Sequence, residues 1–402
     1  MGIRLFGIIG LFVILLSGIA FTEDESINTG EVKDINQAYK WLDNKARDMI
    51  RTCIRPAKGG ISTFPPQVHS GYEAFWLRDY SYMLEGCIDA FSDKELREAY
   101  LFLLSGQRAD GAMVDCIKFD GTPIYMPGYG TMGENPVADG SQFMVNVGYK
   151  TYQRLKDREL LSSTIDRLAK GMLAVPVNPE TGLVFIDPKK EYDRCPYGFT
   201  DTVRKQGDTL FESLLYIQAS QRLSEMYTKL SRKQESLDWS ANAKKASLSV
   251  KKELWDSGTG LFRAATVKCR EHDVWGSAFA VYIGVADKKQ TAATAGYFAQ
   301  HYSEIVKRGQ LRHLLGGVYW EQACGHDVYQ NGAYWATPVG WFVYTLHKKS
   351  PELAEKTVVD MVNDFIKTGD VNECINDNYA NVPEYIDSAA LPLEGIHRII
   401  AR

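Results

Sequence analysis

Phe75-Trp76-Leu77-Arg78-Asp79-Tyr80 sets a guanidinium and a carboxylate side by side among four aromatic or apolar residues. Asp and Arg are rarely buried without partners, so such a stretch is either a paired structural knot or the floor of a polar pocket. Which of the two it is depends on where it falls once the chain is divided into helices.

Apolar spacing and capping signals divide it almost entirely into helices. Ile35, Ala38, Leu42, Met49 and Cys53 recur at helical intervals over 31–55. A loop containing Gly and Pro runs from Pro56 to Phe75, and a second helix follows from about Asp79 to Ala90. Ser92-Asp93-Lys94-Glu95 is a capping box that starts a third near residue 93. Further helices are expected over 141–155, from the cap Asp157 to Val175, from the cap Asp208 to Leu230, and over 235–254, 274–284, 287–303 and 333–347. Ser350-Pro351-Glu352 opens another with Pro at its first position, and the last runs over 387–399.

These are about twelve helices, with long connections after each odd one and short connections after each even one. Short links force neighbours to lie antiparallel. The unit is therefore a hairpin repeated about six times, and six hairpins closed in a ring make an all-α (α/α)6 toroid. All long loops gather at one end. The even helices are the more apolar, as an inner ring requires; Ala278–Val285 and Thr337–Leu346 show this best. Phe75–Tyr80 then lies at the start of an inner helix, at the barrel mouth, where ligand sites form and where helix N-termini favour carboxylates.

Four hundred and two residues suffice for one large core, and residues 21–402 read as one domain. The net charge of −4 with scattered Lys and Arg argues against nucleic acid as the main partner. Arg4, the apolar run Leu5–Phe21 and the small residues Gly18-Ile19-Ala20 form a signal peptide over 1–20, cleaved after Ala20; an uncleaved membrane anchor is the alternative. Secretion, or residence in a secretory lumen, is the expectation, with no membrane contact after cleavage. That route permits disulfides among the seven cysteines, whose odd number leaves at least one unpaired in a monomer. There is no Asn-x-Ser/Thr sequon and no P-loop, and no cofactor is called for.

With Trp76-Leu77-Arg78-Asp79 entering the second of twelve helices, the chain resembles the six-hairpin, (α/α)6-barrel glycoside hydrolases. That superfamily includes glucoamylases, trehalases, rhamnosidases and glycogen-debranching glucosidases. Several members carry a Trp-x-Arg-Asp segment that holds the sugar, which the resemblance places on Trp76, Arg78 and Asp79. Tyr329-Gln330-Asn331-Gly332-Ala333-Tyr334-Trp335 is similar to the Asn-Gly-x-x-Trp stretch that opens a late inner helix in these enzymes. Here Thr337-Pro338 stands where they have Pro directly after the Trp. The resemblance implies a carbohydrate substrate and hydrolysis of an O-glycosidic bond, with inversion the expected outcome.

Glycosidic cleavage needs one carboxyl to protonate the leaving oxygen and a second to activate water or attack carbon. The middle-hairpin loop Cys195-Pro196-Tyr197-Gly198-Phe199-Thr200-Asp201-Thr202 offers Asp201 as the acid, with Phe199 where the superfamily usually has Trp. Turn capping is the plain alternative for Asp201; Asp208 is its rival in the same loop, with helix capping as its plain alternative. Glu373, in Val371-Asn372-Glu373-Cys374-Ile375-Asn376 of the last long loop, is the candidate base; Asp377 and Glu384 are rivals. Asp139 and Gln142, in Ala138-Asp139-Gly140-Ser141-Gln142, would bind sugar hydroxyls, although Asp-Gly-Ser is also ordinary cap chemistry. Glu321 and Asn331 are further binding candidates. Trp76, Trp320 and Trp335 would stack on sugar faces or serve as core.

Two other chemistries are compatible with such a barrel. Polysaccharide lyases and sugar epimerases would draw on His69, His272, His313 and His326. Cys269-x-x-His272 with Cys324-Gly325-His326 could hold zinc, although cysteines of an exported chain are more often disulfides. A sugar-binding protein without activity is the non-enzymatic alternative.

Overall fold

The structure, a computed structural model, describes residues 30–69, 71–126, 136–189 and 201–401. The proposed leader and the segment Cys195–Thr200 lie outside the described residues. Within them, helices of eight residues or more alternate between an outer and an inner ring. The outer helices are α1 (Ile35–Thr52), α3 (Asp93–Ser105), α5 (Arg158–Leu173), α7 (Lys233–Ser249), α9 (Lys288–Gln300) and α11 (Pro351–Thr368). The inner helices are α2 (Leu77–Cys87), α4 (Gly140–Leu155), α6 (Leu210–Lys229), α8 (Val274–Tyr282), α10 (Val339–Leu346) and α12 (Pro392–Ile400). Each inner helix packs on the next, and α12 packs back on α2, which closes the ring. This is the (α/α)6 toroid expected from the loop alternation.

Residue chemistry accounts for the sorting. On α1, Ala38, Leu42, Ala46, Met49 and Ile50 are buried at three- and four-residue intervals, leaving one face to solvent. Every residue of α8 is buried, as a helix enclosed by neighbours on all sides must be. Each Val or Phe so enclosed contributes about 1.5–3 kcal/mol. The capping box at Ser92 and Glu95 is formed, Asp157 caps α5, and Pro351 opens α11. Where α10 meets α12, backbones replace side chains. A Cβ added at Gly340 would meet the Pro392 carbonyl oxygen at 2.7 Å, so only glycine fits.

The long loops depart from the expectation of an almost purely helical chain. They carry short antiparallel strands, all on the long-loop face. Five of these, Val306–Lys307, Gln310–Arg312, Tyr334–Trp335, Cys374–Asn376 and Tyr379–Asn381, form one sheet. Trp335 opposes Cys374 there. The helix expected over 333–347 therefore begins only at Val339, because the Asn-Gly-x-x-Trp segment enters this sheet first. Asp208 does not cap α6: Thr209 holds that position, and Asp208 lies in the strand Gly207–Asp208, accepting from Asn178 Nδ2 at 3.0 Å. Burial outweighs that bond and raises the Asp208 titration. The six described cysteines, Cys53, Cys87, Cys116, Cys269, Cys324 and Cys374, form no disulfide. Among the described residues, no helix is long and apolar enough to cross a membrane.

Candidate active site

The strand Ala74–Trp76 runs directly into α2, so Arg78 and Asp79 leave the barrel wall within its first turn. An Arg78 Nη lies 3.3 Å from Asp139 Oδ2, and the guanidinium sits over the Phe143 ring at 5.8 Å. Asp139 occupies the N-cap position of α4, yet its side chain makes no capping bond. Its carboxylate is turned to Arg78 instead, which separates the binding reading from the capping one. Trp76 Nε1 is buried without a hydrogen-bond partner and meets Tyr72 edge-on at 5.7 Å. Gln142 is fully buried; its amide donates to Ala138 O at 2.9 Å and its Oε1 has no partner.

Asp201 and Glu373 come from different hairpins and meet at one hydroxyl. Tyr329 Oη lies 3.2 Å from Asp201 Oδ2 and 3.4 Å from Glu373 Oε1. Their nearest oxygens are therefore no more than about 7 Å apart. The second oxygen of each is held by an amide: Gln330 Nε2 donates to Asp201, and Asn381 Nδ2 donates to Glu373 Oε2 at 2.9 Å. Asp201 is exposed, whereas Glu373 is 3% exposed. Burial, with the charges of Asp201 and Asp79, pushes the Glu373 titration well above the ordinary carboxyl range against the two hydrogen bonds it accepts.

The loop that delivers Tyr329 and Gln330 is strained. Tyr329 has φ 45°, a left-handed conformation that costs a bulky residue about 1–3 kcal/mol. Surrounding contacts enforce it. Trp335 Nε1 donates to the Tyr329 carbonyl at 3.2 Å, and the two rings lie 5.1 Å apart. Gln330 Oε1 accepts from Thr202 N at 3.1 Å, clamping the middle-hairpin loop to this one. Gly332, with φ 123°, completes the turn.

Several residues of this site escaped the sequence reading. Tyr385 donates to Asp79 Oδ1 at 2.7 Å. Asp387 is fully buried, with neither carboxyl oxygen hydrogen-bonded among the described residues; burial and then the Asp79 charge raise its titration far above the usual range. Asp79 is itself raised by burial, against the Tyr385 bond and Arg78. Asp115 is pushed up to about 8, by burial first and with Asp139 and Asp79 opposing Arg78. Tyr72 feels the charges of Glu373, Asp79, Asp201 and Asp387. The available signals were an Asp inside the apolar run Met113-Val114-Asp115-Cys116-Ile117 and the pair Tyr385-Ile386-Asp387.

Other candidates are held elsewhere. Glu321 is exposed, and its carboxylate accepts from Cys269 N at 2.9 Å. Asn331 is buried and braces its own loop, accepting from Trp320 N at 2.9 Å and donating to Cys324 O at 2.7 Å. Trp335 is buried beneath Tyr329, and Trp320 is buried with Nε1 on Gln330 O at 3.0 Å. The proposed zinc ligands have separate partners: Cys269 Sγ donates to Gln322 O, His272 pairs with Asp256 at 3.0 Å, Cys324 takes the Thr202 hydroxyl, and His326 stacks on Tyr319 at 3.8 Å. Among the described residues, no three His, Cys, Asp or Glu side chains gather as a metal site. His69 pairs with Glu384, and buried His313 lies 3.0 Å from Asp273 and stacks on Trp275.

No family model matches the sequence, and no curated protein matches it. Solved structures match its shape. A GH63 mannosylglycerate hydrolase from Thermus thermophilus, in complex with glucose, superposes with a TM-score of 0.63 at 16% identity over 88% of this chain and 99% of its own. A rhamnosidase from Klebsiella oxytoca with rhamnose bound gives 0.63 at 12% identity over 92% of this chain, which spans 64% of that protein. A GH78 rhamnosidase of Bacillus sp. GL1 gives 0.59 at 10% identity over 91% of this chain and 35% of its own. The chain thus has the (α/α)6-barrel fold of the six-hairpin glycosidases.

Proposed function

We propose that the protein is a glycoside hydrolase in which Asp201 and Glu373 perform acid–base catalysis. The observation that carries this reading is the convergence of the two carboxyls on one hydroxyl beside the Arg78–Asp139 pair. Asp201 donates its proton to the glycosidic oxygen as the bond from that oxygen to the anomeric carbon breaks. Water attacks that carbon, and Glu373 takes the water's proton. The products are a free sugar and the leaving alcohol, and the anomeric configuration inverts. A carboxyl whose proton affinity is raised is a stronger base once ionised, which suits Glu373 to this step.

Arg78, Asp79 and Asp139 hold sugar hydroxyls, with Gln142 Oε1 as a further acceptor, and Trp76 offers its ring and a donor. A carbohydrate substrate also accords with the glucose and rhamnose bound in the structural neighbours. Export through a leader ending at Ala20 belongs to the same proposal; N-terminal sequencing of the secreted protein would test it.

The test is a panel of α- and β-glycosides followed by Asp201→Asn and Glu373→Gln. Each substitution is expected to lower kcat/KM by about 10³-fold or more while thermal stability holds. Full activity in either variant removes that residue from the mechanism. An unsaturated product absorbing in the ultraviolet indicates a lyase, and sugar binding without turnover indicates a lectin-like protein.

A further inference from the structure

Each catalytic carboxyl has one oxygen fixed by an amide and its other oxygen offered to the same hydroxyl. Asp201 is held by Gln330 and faces Tyr329 at 3.2 Å; Glu373 is held by Asn381 and faces Tyr329 at 3.4 Å. Tyr329 has one proton to donate and two acceptors for it. Its ring cannot follow either partner freely, because the φ of 45°, the Trp335 ring and the Trp335 bond to its carbonyl fix it. Rotation of the O–H about the C–O bond is the motion left to it.

We propose that Tyr329 is a positioning residue whose hydroxyl donates to whichever of the two carboxyls carries the charge, swinging from Glu373 to Asp201 as the reaction proceeds. This role rests on the hydrolase reading. In the form that reacts, Glu373 is the anion and Asp201 carries the proton. Afterwards Asp201 has given its proton to the leaving oxygen and Glu373 has received one from water. Negative charge has therefore moved from one carboxyl to the other, and a donor within reach of both stabilises both ends of that transfer without being consumed. The hydroxyl keeps its own proton throughout, because burial and the neighbouring carboxylates push its titration far above that of an ordinary phenol. Among the described residues, the groups facing Glu373 include Asp201 and Asp79, the titratable Tyr72, Cys374, Tyr379 and Tyr385, and its donors Tyr329 and Asn381.

Tyr329→Phe tests this, since it keeps the ring against Trp335 and removes only the hydroxyl. Two measurements are needed: the pH dependence of kcat and KM on a glycoside found in the screen, and a carbon-13 titration of the Glu373 carboxyl. The Glu373 signal is identified as the resonance that Glu373→Gln removes. The expected result is a Glu373 titration raised by on the order of 0.5–1 pH unit. The ascending limb of kcat/KM should move with it, and kcat should fall by about 10–100-fold with KM and the melting temperature unchanged. Turnover with an unmoved titration and a superimposable pH profile overturns the role of Tyr329 alone. No turnover of any glycoside by the wild-type protein overturns the hydrolase reading and this role with it.

Discussion

The Tyr385 hydroxyl donates to Asp79 Oδ1 at 2.7 Å, joining the last long loop to the first inner helix across a fully buried contact. It lowers the proton affinity of Asp79, which burial otherwise raises. Tyr385→Phe is therefore expected to leave Asp79 harder to ionise. Loss of a hydrogen bond to a charged group costs about 1.5–3 kcal/mol, so KM for a glycoside should rise tenfold or more. Steady-state kinetics beside calorimetry distinguish the roles: a lower melting temperature with unchanged KM would make Asp79 a structural residue.

Asp115 links stability to pH. Its carboxyl titrates at about 8 in the folded protein against 3.8 in an unperturbed chain. The folded state thus holds a proton that the unfolded state has already released. Its contribution is fully present below pH 4 and is lost progressively as pH rises towards 8. Urea titrations of wild type and Asp115→Asn between pH 4 and 8 should show the steeper decline in wild type. Parallel curves would mean that Asp115 has no raised titration.

Lys205 and Glu212 pair at 2.6 Å with side chains 1% and 0% exposed. Removing one partner of such a pair leaves an uncompensated buried charge, which costs about 3–5 kcal/mol. Lys205→Met should lose about that much at neutral pH. The deficit should shrink in acid: burial already raises the Glu212 titration, and without Lys205 the carboxyl takes up a proton more readily. An equal deficit at pH 5 and pH 8 in chemical denaturation would contradict this account.

Gly340→Ala sets two effects against each other. Alanine is better than glycine inside a helix by about 1 kcal/mol. Its methyl, however, would press on the Pro392 backbone, which cannot rotate away as a side chain could. Overpacking of this kind costs about 1–3 kcal/mol, and steric exclusion should win. A lower melting temperature is expected, and a rise would show that α10 and α12 can separate without penalty.

The alternation of long and short links was legible in the chain, and with it the ring, because a short link leaves two helices no geometry but antiparallel packing. Arg78 and Asp79 could be placed at the mouth for the same reason. Asp201 and Glu373 were proposed from a resemblance and a carboxyl's position in a loop, which cannot show whether two loops meet. Asp208 occupies an equally plausible position, yet a two-residue strand takes it away. Asp115 and Asp387 were hidden because a carboxyl inside an apolar run reads as a break in a pattern until its neighbours from distant loops are known.

What the sequence by itself determined is therefore local and periodic: the succession of helices, several caps such as Ser92 and Asp157, the alternation of links and the apolar inner faces. Those fix the order of the helices and gather the long loops at one end. Which acids share a hydrogen bond there was decided by tertiary structure. Closing α12 onto α2 brings Tyr385 and Asp387 to Asp79, and the five-stranded sheet carries Glu373 to the Tyr329 loop. The physical reason is that burial and Coulomb interaction act across space. A carboxyl's proton affinity belongs to the neighbours that folding supplies, whatever its place along the chain.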